Sequence, residues 1–189
     1  WKTKTETATR LRGRLELVLD WATARGYREG LNPARWRGHL DKLLPKPSKV
    51  AKVEHHAALR VQDMGAFMAR LRQQQGMGAK ALEFLILTAA RSGEVRGATL
   101  DEFDLDSGMW TIPAERMKAG KEHRVPLVQA AIDLVKALPK LAGTSYVFHA
   151  PRGGQLSDMT ITAVLRRMEI DAVPHGFRST FRDWAAERT

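Results

Sequence analysis

Four side chains spread along the sequence have the chemistry needed to act on a phosphodiester. They are Arg91, Lys118, His175 and Arg178. Two guanidinium groups match the non-bridging oxygens of a phosphate and stabilise the charge that develops in a pentacoordinate transition state. A histidine transfers a proton near neutral pH, and a lysine on a loop protonates a departing oxygen. His175 and Arg178 lie three residues apart, so a helix would put them on the same side.

The first of these residues follows a stretch that predicts a buried helix. Residues Ala81–Ala90 are apolar on nearly every helical face, which is typical of a helix in the core of a domain. After Arg91, we expect Ser92 to cap a short helix and Glu94 to lie in its first turn, where the helix dipole favours an acid. Two interpretations of Arg91 stay open from its spacing alone: a structural partner of Glu94, or part of an anion site.

The charge of the chain indicates a polyanionic partner. The formal net charge is +10 and the pI is about 10.3, which favours nucleic acid over a membrane. Residues 1–50 carry 12 Lys/Arg against 5 Asp/Glu, and residues 51–189 carry 19 against 16. The absence of cysteine excludes disulfides and thiolate metal sites. With no signal peptide and no transmembrane span in the sequence, we expect a cytoplasmic, nucleoid-associated protein.

The order of the patterns predicts two domains joined by a basic linker. Residues 1–44 are predicted to be helical, with an apolar stripe that includes Leu11, Leu15 and Val18, a stop at Gly26, and a second short helix in 34–44. Residues 45–54 carry two prolines and the lysines Lys46, Lys49 and Lys52 without an apolar period, which is typical of a linker. Residues 55–189 form the second predicted domain.

The second domain is predicted to be mainly α with a small antiparallel β-sheet, an α+β class. Met64–Leu71 and the central apolar stretch predict helices, and Met109–Ile112 and Arg124–Leu127 predict two strands joined by a basic loop. Further along the chain we expect the following elements: a helix over Ala130–Leu141, a strand at Tyr146–Phe148, a helix bearing Ile161, Val164, Leu165 and Met168, and a helix over His175–Arg188 with Phe177, Phe181, Trp184 and Ala185 facing the core.

Two other classes of site are disfavoured by spacing. None of the six histidines has a helical His-x-x-x-His partner. The acidic run Asp101–Asp106 would begin an EF-hand loop at Asp104, but Met109 stands where that loop needs glycine. We therefore interpret the acidic run as a solvated turn before a strand. The sequence also lacks a phosphate-binding G-x-x-x-x-G-K-[ST] loop.

Three segments together resemble the tyrosine recombinase (phage integrase) family, in particular the integrases of prophages and genomic islands. They are TAARSGEVRG, RMKAGKEHRVPL after a strand, and HGFRSTFRDW. The likeness covers residues from about 55 to 189 as a catalytic domain, and residues 1–50 resemble the end of the family's helical core-binding domain. By this resemblance Arg91 matches the first catalytic arginine and Glu94 its acidic companion. Lys118 matches the hairpin lysine, with Lys121 a weaker match, and His175 and Arg178 match the H-x-x-R box.

The resemblance implies DNA strand cleavage and rejoining. Family members attack the scissile phosphate with a tyrosine, which gives a 3′-phosphotyrosyl intermediate and a free 5′-hydroxyl without metal or nucleotide. The implied partners are double-stranded DNA and other recombinase protomers, a tetramer in the synaptic complex. We expect the DNA contacts to come from the following basic residues: Lys46, Lys49, Lys52, Arg116, Lys121 and Arg124.

One departure from the family pattern concerns the nucleophile. The family's third box and its tyrosine lie C-terminal to H-x-x-R, whereas the tyrosines of this chain are Tyr27 and Tyr146. We therefore expect a chain truncated before the nucleophile, which would lie beyond Thr189, and no cleavage by this chain alone. Two alternatives are a catalytically inactive DNA-binding relative, regulatory or decayed, and a metal-dependent nuclease or unrelated basic helical protein. The combined Arg–Lys–His–Arg set disfavours the first, and the absence of ligand spacing disfavours the second.

Overall fold

The structure, a computed structural model, describes residues 1–50 and 57–188. Contacts along the chain divide it into two units, Trp1–His55 and His56–Thr189. The division falls at the end of the predicted linker. Within the described residues, no helix is both long enough and apolar enough to cross a bilayer.

The first unit is built on one long helix. Helix α1 runs over Thr5–Ala24 and is followed by a kinked helical turn at Trp36–Leu40, helix α2 at Asp41–Leu43 and helix α3 at Pro47–Val50. The Asn32 side chain joins the return segment to α1, because its Nδ2 donates to the Glu16 carbonyl at 2.8 Å and to Asp20 Oδ1 at 2.7 Å.

One sequence prediction for this unit is wrong in detail. The helix expected over 34–44 is interrupted at Gly38, whose φ of 71° is left-handed, a conformation that breaks a helix. The predicted linker contains the short helix α3, which begins at Pro47, because proline is well suited to the first position of a helix. The apolar stripe of α1 is exposed in the described chain, with Leu15 49% and Val18 60% accessible.

The second unit has the predicted class, mainly helical with a small antiparallel sheet. Its helices are α4 Met64–Arg72, α5 Met77–Thr88, α6 Ser92–Arg96, α7 Gln129–Lys136, α8 Met159–Arg167 and α9 Gly176–Arg188. Its strands are β1 Phe103–Asp104, β2 Met109–Ile112 and β3 His123–Pro126.

Helix α5 is the centre of this unit, as the apolar stretch predicts. Ala81, Leu82, Phe84 and Leu85 on this helix are completely inaccessible to solvent. The Phe84 ring lies 5.2 Å from the Trp110 ring and 5.3 Å from the Phe148 ring, centroid to centroid. The central helix is thereby packed against β2 and the segment after α7, and this aromatic core supports the turn that leads to Arg91.

The sheet is antiparallel in the order β1-β2-β3. Phe103 pairs with Trp110, and Ile112 pairs with His123. Strand β1 was missed by the sequence analysis, which interpreted the acidic run as a solvated turn. The sequence pattern did not indicate a strand here because Phe103 is flanked by acidic residues. Asp104 does serve the turn, since the Ser107 and Asp106 amides donate to its carboxylate, and these hydrogen bonds lower the pKa of Asp104.

Three other predictions in this unit differ from the structure. Helix α7 ends at Lys136 rather than Leu141, in advance of Pro139. Tyr146–Phe148 is not a strand, since Tyr146 forms only an isolated bridge with Thr99. On α9 Phe177 is buried, but Phe181 and Trp184 are 48% and 44% exposed. Together with Val61, Met64 and Ile86 they line an open groove, so this part of α9 does not complete the core.

Candidate active site

The turn from α5 to α6 presents the first predicted site residue. Helix α5 is followed by its C-cap Ala89, which has a left-handed backbone with φ 49°, a conformation that costs a non-glycine residue about 1–2 kcal/mol. Arg91 then precedes α6 in an extended conformation as its N-cap. The cap is therefore one residue earlier than the predicted Ser92, while Glu94 lies in the first turn as predicted.

Glu94 fixes both the backbone and the side chain of Arg91. The Arg91 amide donates to Glu94 Oε2 at 2.8 Å, and Arg91 Nη1 donates to Glu94 Oε1 at 2.6 Å. Glu94 is buried, whereas the Arg91 side chain is 48% exposed. The ion pair and the exposed guanidinium are both present, so the two interpretations of Arg91 are not mutually exclusive. A fixed guanidinium with an open face suits an anion.

Arg91 and Glu94 line an open cavity of about 400 Å³. Lys118 and His175 line the same cavity. Lys118 lies in the loop between β2 and β3 and is exposed, and a hydrogen bond of 2.9 Å from the Gly120 amide to the Met117 carbonyl closes the turn around it. Three of the four predicted site residues thus border one cavity, although 84 positions separate Arg91 from His175.

His175 is positioned by a close approach of two backbones. It immediately precedes α9, whose first residue is Gly176. A Cβ atom on Gly176 would overlap the carbonyl oxygen of Ala57, so only glycine fits there. The Val173 amide also donates to that carbonyl, at 3.1 Å. Residues 57–58 therefore define where the start of α9, and with it His175, lies.

Arg178 borders a second open cavity, of about 500 Å³, which His175 also lines. Its Nη1 donates a hydrogen bond to the backbone carbonyl of Ala89, two residues before Arg91. The contact places the Arg178 guanidinium at the C-terminal end of α5, where carbonyl oxygens lack helical partners. His175 belongs to both cavities, so the four predicted residues lie along one continuous surface of the second unit.

Other predicted DNA-contacting residues lie apart from these cavities. Lys121 and Arg124 are exposed on the loop and β3 but line neither cavity. Lys46 and Lys49 are exposed in the first unit, and Lys52 lies outside the described residues. Two lysines could match the hairpin lysine of the family. Lys118 borders the cavity that Arg91 and His175 line, and Lys121 does not.

Arg116 has a different environment from the one expected of a DNA contact. It lines the first cavity, but Nη1 is paired with Glu102 Oε1 and Nη2 donates to the Glu94 carbonyl. Its side chain is 23% exposed. Both terminal nitrogens are thus engaged by protein acceptors.

Two residues that were not predicted from sequence also border the second cavity, His123 and Arg182. Arg182 follows Arg178 by four positions, which is the spacing of one helix face, so it could have been found within HGFRSTFR. His123 carried no such signal, because only the tertiary fold brings the first residue of β3 to the cavity that His175 and Arg178 line.

Neither tyrosine borders these cavities among the described residues. Tyr27 is exposed in the first unit, and Tyr146 lines a separate small cavity beneath α7. Across residues 1–50 and 57–188, no group of three His, Asp or Glu side chains is arranged to hold a metal ion.

Both units match models of known protein families. The model described as the phage integrase family matches residues 58–188, and the one described as the phage integrase central domain matches residues 1–39. The integrase of Enterobacteria phage P4 is 30% identical over 200 aligned residues, which cover 95% of this chain and 44% of the relative. Prophage integrase IntA of Escherichia coli (strain K12) is 27% identical over 92% of this chain and 42% of its own length. The chain thus spans less than half the length of these curated relatives.

Solved structures share the fold at low identity. The Tn1549 transposon integrase in complex with circular intermediate DNA superposes with a TM-score of 0.69 at 14% identity, over 97% of this chain and 67% of that chain. The lambda integrase tetramer bound to a Holliday junction superposes with a TM-score of 0.67 at 17% identity, over 94% and 53%. The arrangement of helices and sheet described above is therefore the one found in these proteins.

Proposed function

This chain belongs to the phage integrase family of tyrosine recombinases, and from this membership we propose that it is the catalytic part of a site-specific DNA recombinase. The observation that carries the proposal is the shared cavity of Arg91, Lys118 and His175, with Arg178 beside it. These are the groups that a metal-independent transfer of a phosphoryl group requires. The resemblance of the sequence to this family is confirmed.

In the proposed reaction a tyrosine oxygen attacks the scissile phosphorus, and the bond from phosphorus to the 5′-oxygen breaks. The tyrosine proton passes to His175, and the departing 5′-oxygen takes a proton from Lys118. The products are a 3′-phosphotyrosyl ester and a 5′-hydroxyl, and rejoining reverses each step. The phosphoryl energy is kept in the ester, so the proposal involves no cofactor.

Arg91 and Arg178 are proposed to hold the non-bridging oxygens of the phosphate. Glu94 keeps one face of Arg91 occupied and leaves the other toward the cavity. Guanidinium groups held in advance of the reaction stabilise the added negative charge of the transition state without reorganisation. We propose that Lys46, Lys49, Lys52, Lys121 and Arg124 contact the DNA backbone outside the scissile position.

The proposed substrate is double-stranded DNA, and the proposed partners are other protomers on that DNA. Curated relatives carry the names integrase and prophage integrase, and the lambda neighbour is a tetramer on a Holliday junction. The lambda neighbour supports the proposal of a tetrameric synaptic complex. We also propose that the protein acts at the nucleoid, in the cytoplasm, and that another segment of the full-length protein supplies the nucleophilic tyrosine, since neither Tyr27 nor Tyr146 borders the two cavities.

The test is covalent capture of DNA by the full-length protein that carries this chain. A labelled duplex spanning one end of the encoding mobile element should become attached to the protein in a denaturing gel, with EDTA present. Residues 1–189 alone should form no adduct. Duplex binding without an adduct by the full-length protein would instead identify an inactive DNA-binding relative, and an adduct that requires added metal would reject the mechanism.

A further inference from the structure

Arg116 forms a bridge between two parts of the candidate active site. It ends the helical turn Ala114–Arg116, which leaves β2 and leads into the loop of Lys118. One terminal nitrogen of its guanidinium is paired with Glu102, and the other donates to the backbone carbonyl of Glu94. A guanidinium presents its donors in a fixed planar fork, so these two contacts define its orientation.

The Glu102 end of this bridge is rigid. Glu102 is buried, and its second carboxylate oxygen, Oε2, accepts a hydrogen bond of 2.9 Å from Trp110 Nε1. Trp110 is itself inaccessible to solvent within β2. A buried carboxylate is costly unless its oxygens are paired, so Arg116 satisfies the acceptor that Trp110 leaves open.

The Glu94 end leads directly to Arg91. The carbonyl of Glu94 accepts from Arg116, while its carboxylate accepts from the Arg91 amide and guanidinium. Gly97 leaves room for the bridge, because a Cβ atom there would lie 2.9 Å from Arg116 Nη2. Lys118 lies two residues beyond Arg116. One side chain therefore connects the segment of the general acid with the helix that orients the first arginine.

We propose that Arg116 is a positioning residue that holds the Lys118 loop against helix α6, and that it is not a DNA contact. The inference rests on the proposed function, since it concerns the roles of Lys118 and Arg91 in that reaction. It replaces the expectation from sequence that Arg116 neutralises a DNA phosphate.

The experiment compares Arg116→Ala and Arg116→Lys in the full-length protein, with Glu115→Ala as the matched control. Glu115 is the exposed neighbour of Arg116 in the same helical turn. Three quantities are measured for each: the melting temperature, the slope of log affinity for duplex against log salt, and the cleavage rate at saturating DNA. The rate is measured on ordinary DNA and on DNA whose 5′-bridging oxygen is replaced by sulfur. A thiolate departs without a proton, so this substrate does not need Lys118.

A positioning role predicts a specific combination of results. Arg116→Ala should slow cleavage of ordinary DNA by up to about 100-fold, because a small displacement of a catalytic group has that effect. Most of this loss should disappear on the sulfur substrate, and the salt slope should not change. Arg116→Lys retains one charge but not the fork, so it should show a smaller loss with the same rescue. Glu115→Ala should match the unsubstituted protein in all three measurements.

Other outcomes overturn the inference. A salt slope reduced by about one in Arg116→Ala would identify a phosphate contact. Equal losses of cleavage rate on both substrates would identify a structural residue with no connection to Lys118. If Arg116→Ala does not fold, Arg116→Lys provides the same comparison. An unsubstituted protein that forms no adduct rejects the proposed function and this inference with it, whereas an active protein unaffected by either substitution rejects the inference alone.

Discussion

Arg178 donates a hydrogen bond to the carbonyl of Ala89, the left-handed residue that follows helix α5. The contact joins residues 89 positions apart. It ties the C-cap of the central helix to α9 and places the Arg178 guanidinium against a residue that lies two positions before Arg91. The strained turn after α5 and the H-x-x-R segment therefore form one structural element of the candidate site.

The first prediction concerns Arg178 in the full-length protein. Arg178→Ala should lower the cleavage rate by about 100-fold or more, equivalent to roughly 3 kcal/mol, because a charge donor held in advance of the transition state is lost. Much of the duplex affinity should remain, since the contact strengthens as the reaction proceeds. Single-turnover cleavage and equilibrium binding of the same duplex separate the two quantities.

The control for this prediction is Arg167→Ala, which removes an exposed arginine on α8 outside both cavities. It should leave the cleavage rate unchanged. If Arg178→Ala weakened binding and cleavage by the same factor, Arg178 would be a simple binding residue and its proposed role in the transition state would be wrong.

Much of the candidate site could be predicted from sequence because its residue types are rare in combination. Two arginines, a loop lysine and a histidine match one chemical task, and a short motif surrounds each of them. The contacts that position them could not be predicted. Arg116 carries the same charge as a DNA-contacting arginine in the sequence, and only the packing of Glu102 beneath it shows that its charge is neutralised within the protein.

The fold was predictable for the central helix, whose sequence is mostly apolar, and less predictable for strand β1 and helix α9. Helix α5 is apolar on nearly every face, interrupted only by Glu83 and Thr88 within Ala81–Ala90, and its burial follows directly. Strand β1 contains one aromatic residue among acids, so its pairing with β2 depends on Phe103 stacking on Trp110, with ring centroids 5.5 Å apart. Phe181 and Trp184 are apolar but exposed, because burial on α9 depends on what else packs there and not on residue type.

The second prediction tests the close approach at the start of α9. Gly176→Ala should destabilise the second unit by about 1–3 kcal/mol, the usual range for overpacking, because the new Cβ would overlap the Ala57 carbonyl. Cleavage should fall as His175 is displaced. Thermal melting and the single-turnover rate measure these two effects.

Gly65→Ala is the matched control for that substitution. Gly65 lies in α4 with no atom within 4 Å of an added Cβ, so alanine there should keep activity and raise stability by up to about 1 kcal/mol. If Gly176→Ala were as harmless as Gly65→Ala, residues 57–58 would not define the position of His175.

The third prediction concerns salt. Duplex affinity of the chain should fall steeply as ionic strength rises, because phosphate contacts release condensed counterions. Lys121→Ala and Arg124→Ala should each reduce the slope of log affinity against log salt by about one. Lys136→Ala, at an exposed lysine on α7, should leave the slope unchanged. An affinity independent of salt would contradict the proposed backbone contacts.

The last prediction assigns the proton that leaves with the 5′-oxygen. In the full-length protein, Lys118→Ala should slow cleavage of ordinary DNA. The cleavage rate of this variant should recover on DNA with a 5′-bridging sulfur, since a thiolate needs no proton to depart. His175→Ala should be slow on both substrates, because removing a proton from the nucleophile is still required. If the sulfur substrate restored His175→Ala and not Lys118→Ala, the two residues would exchange roles. If the sulfur substrate restored cleavage by Lys121→Ala and not by Lys118→Ala, the general acid would be Lys121. Lys118 would then border the cavity of Arg91 without donating the proton.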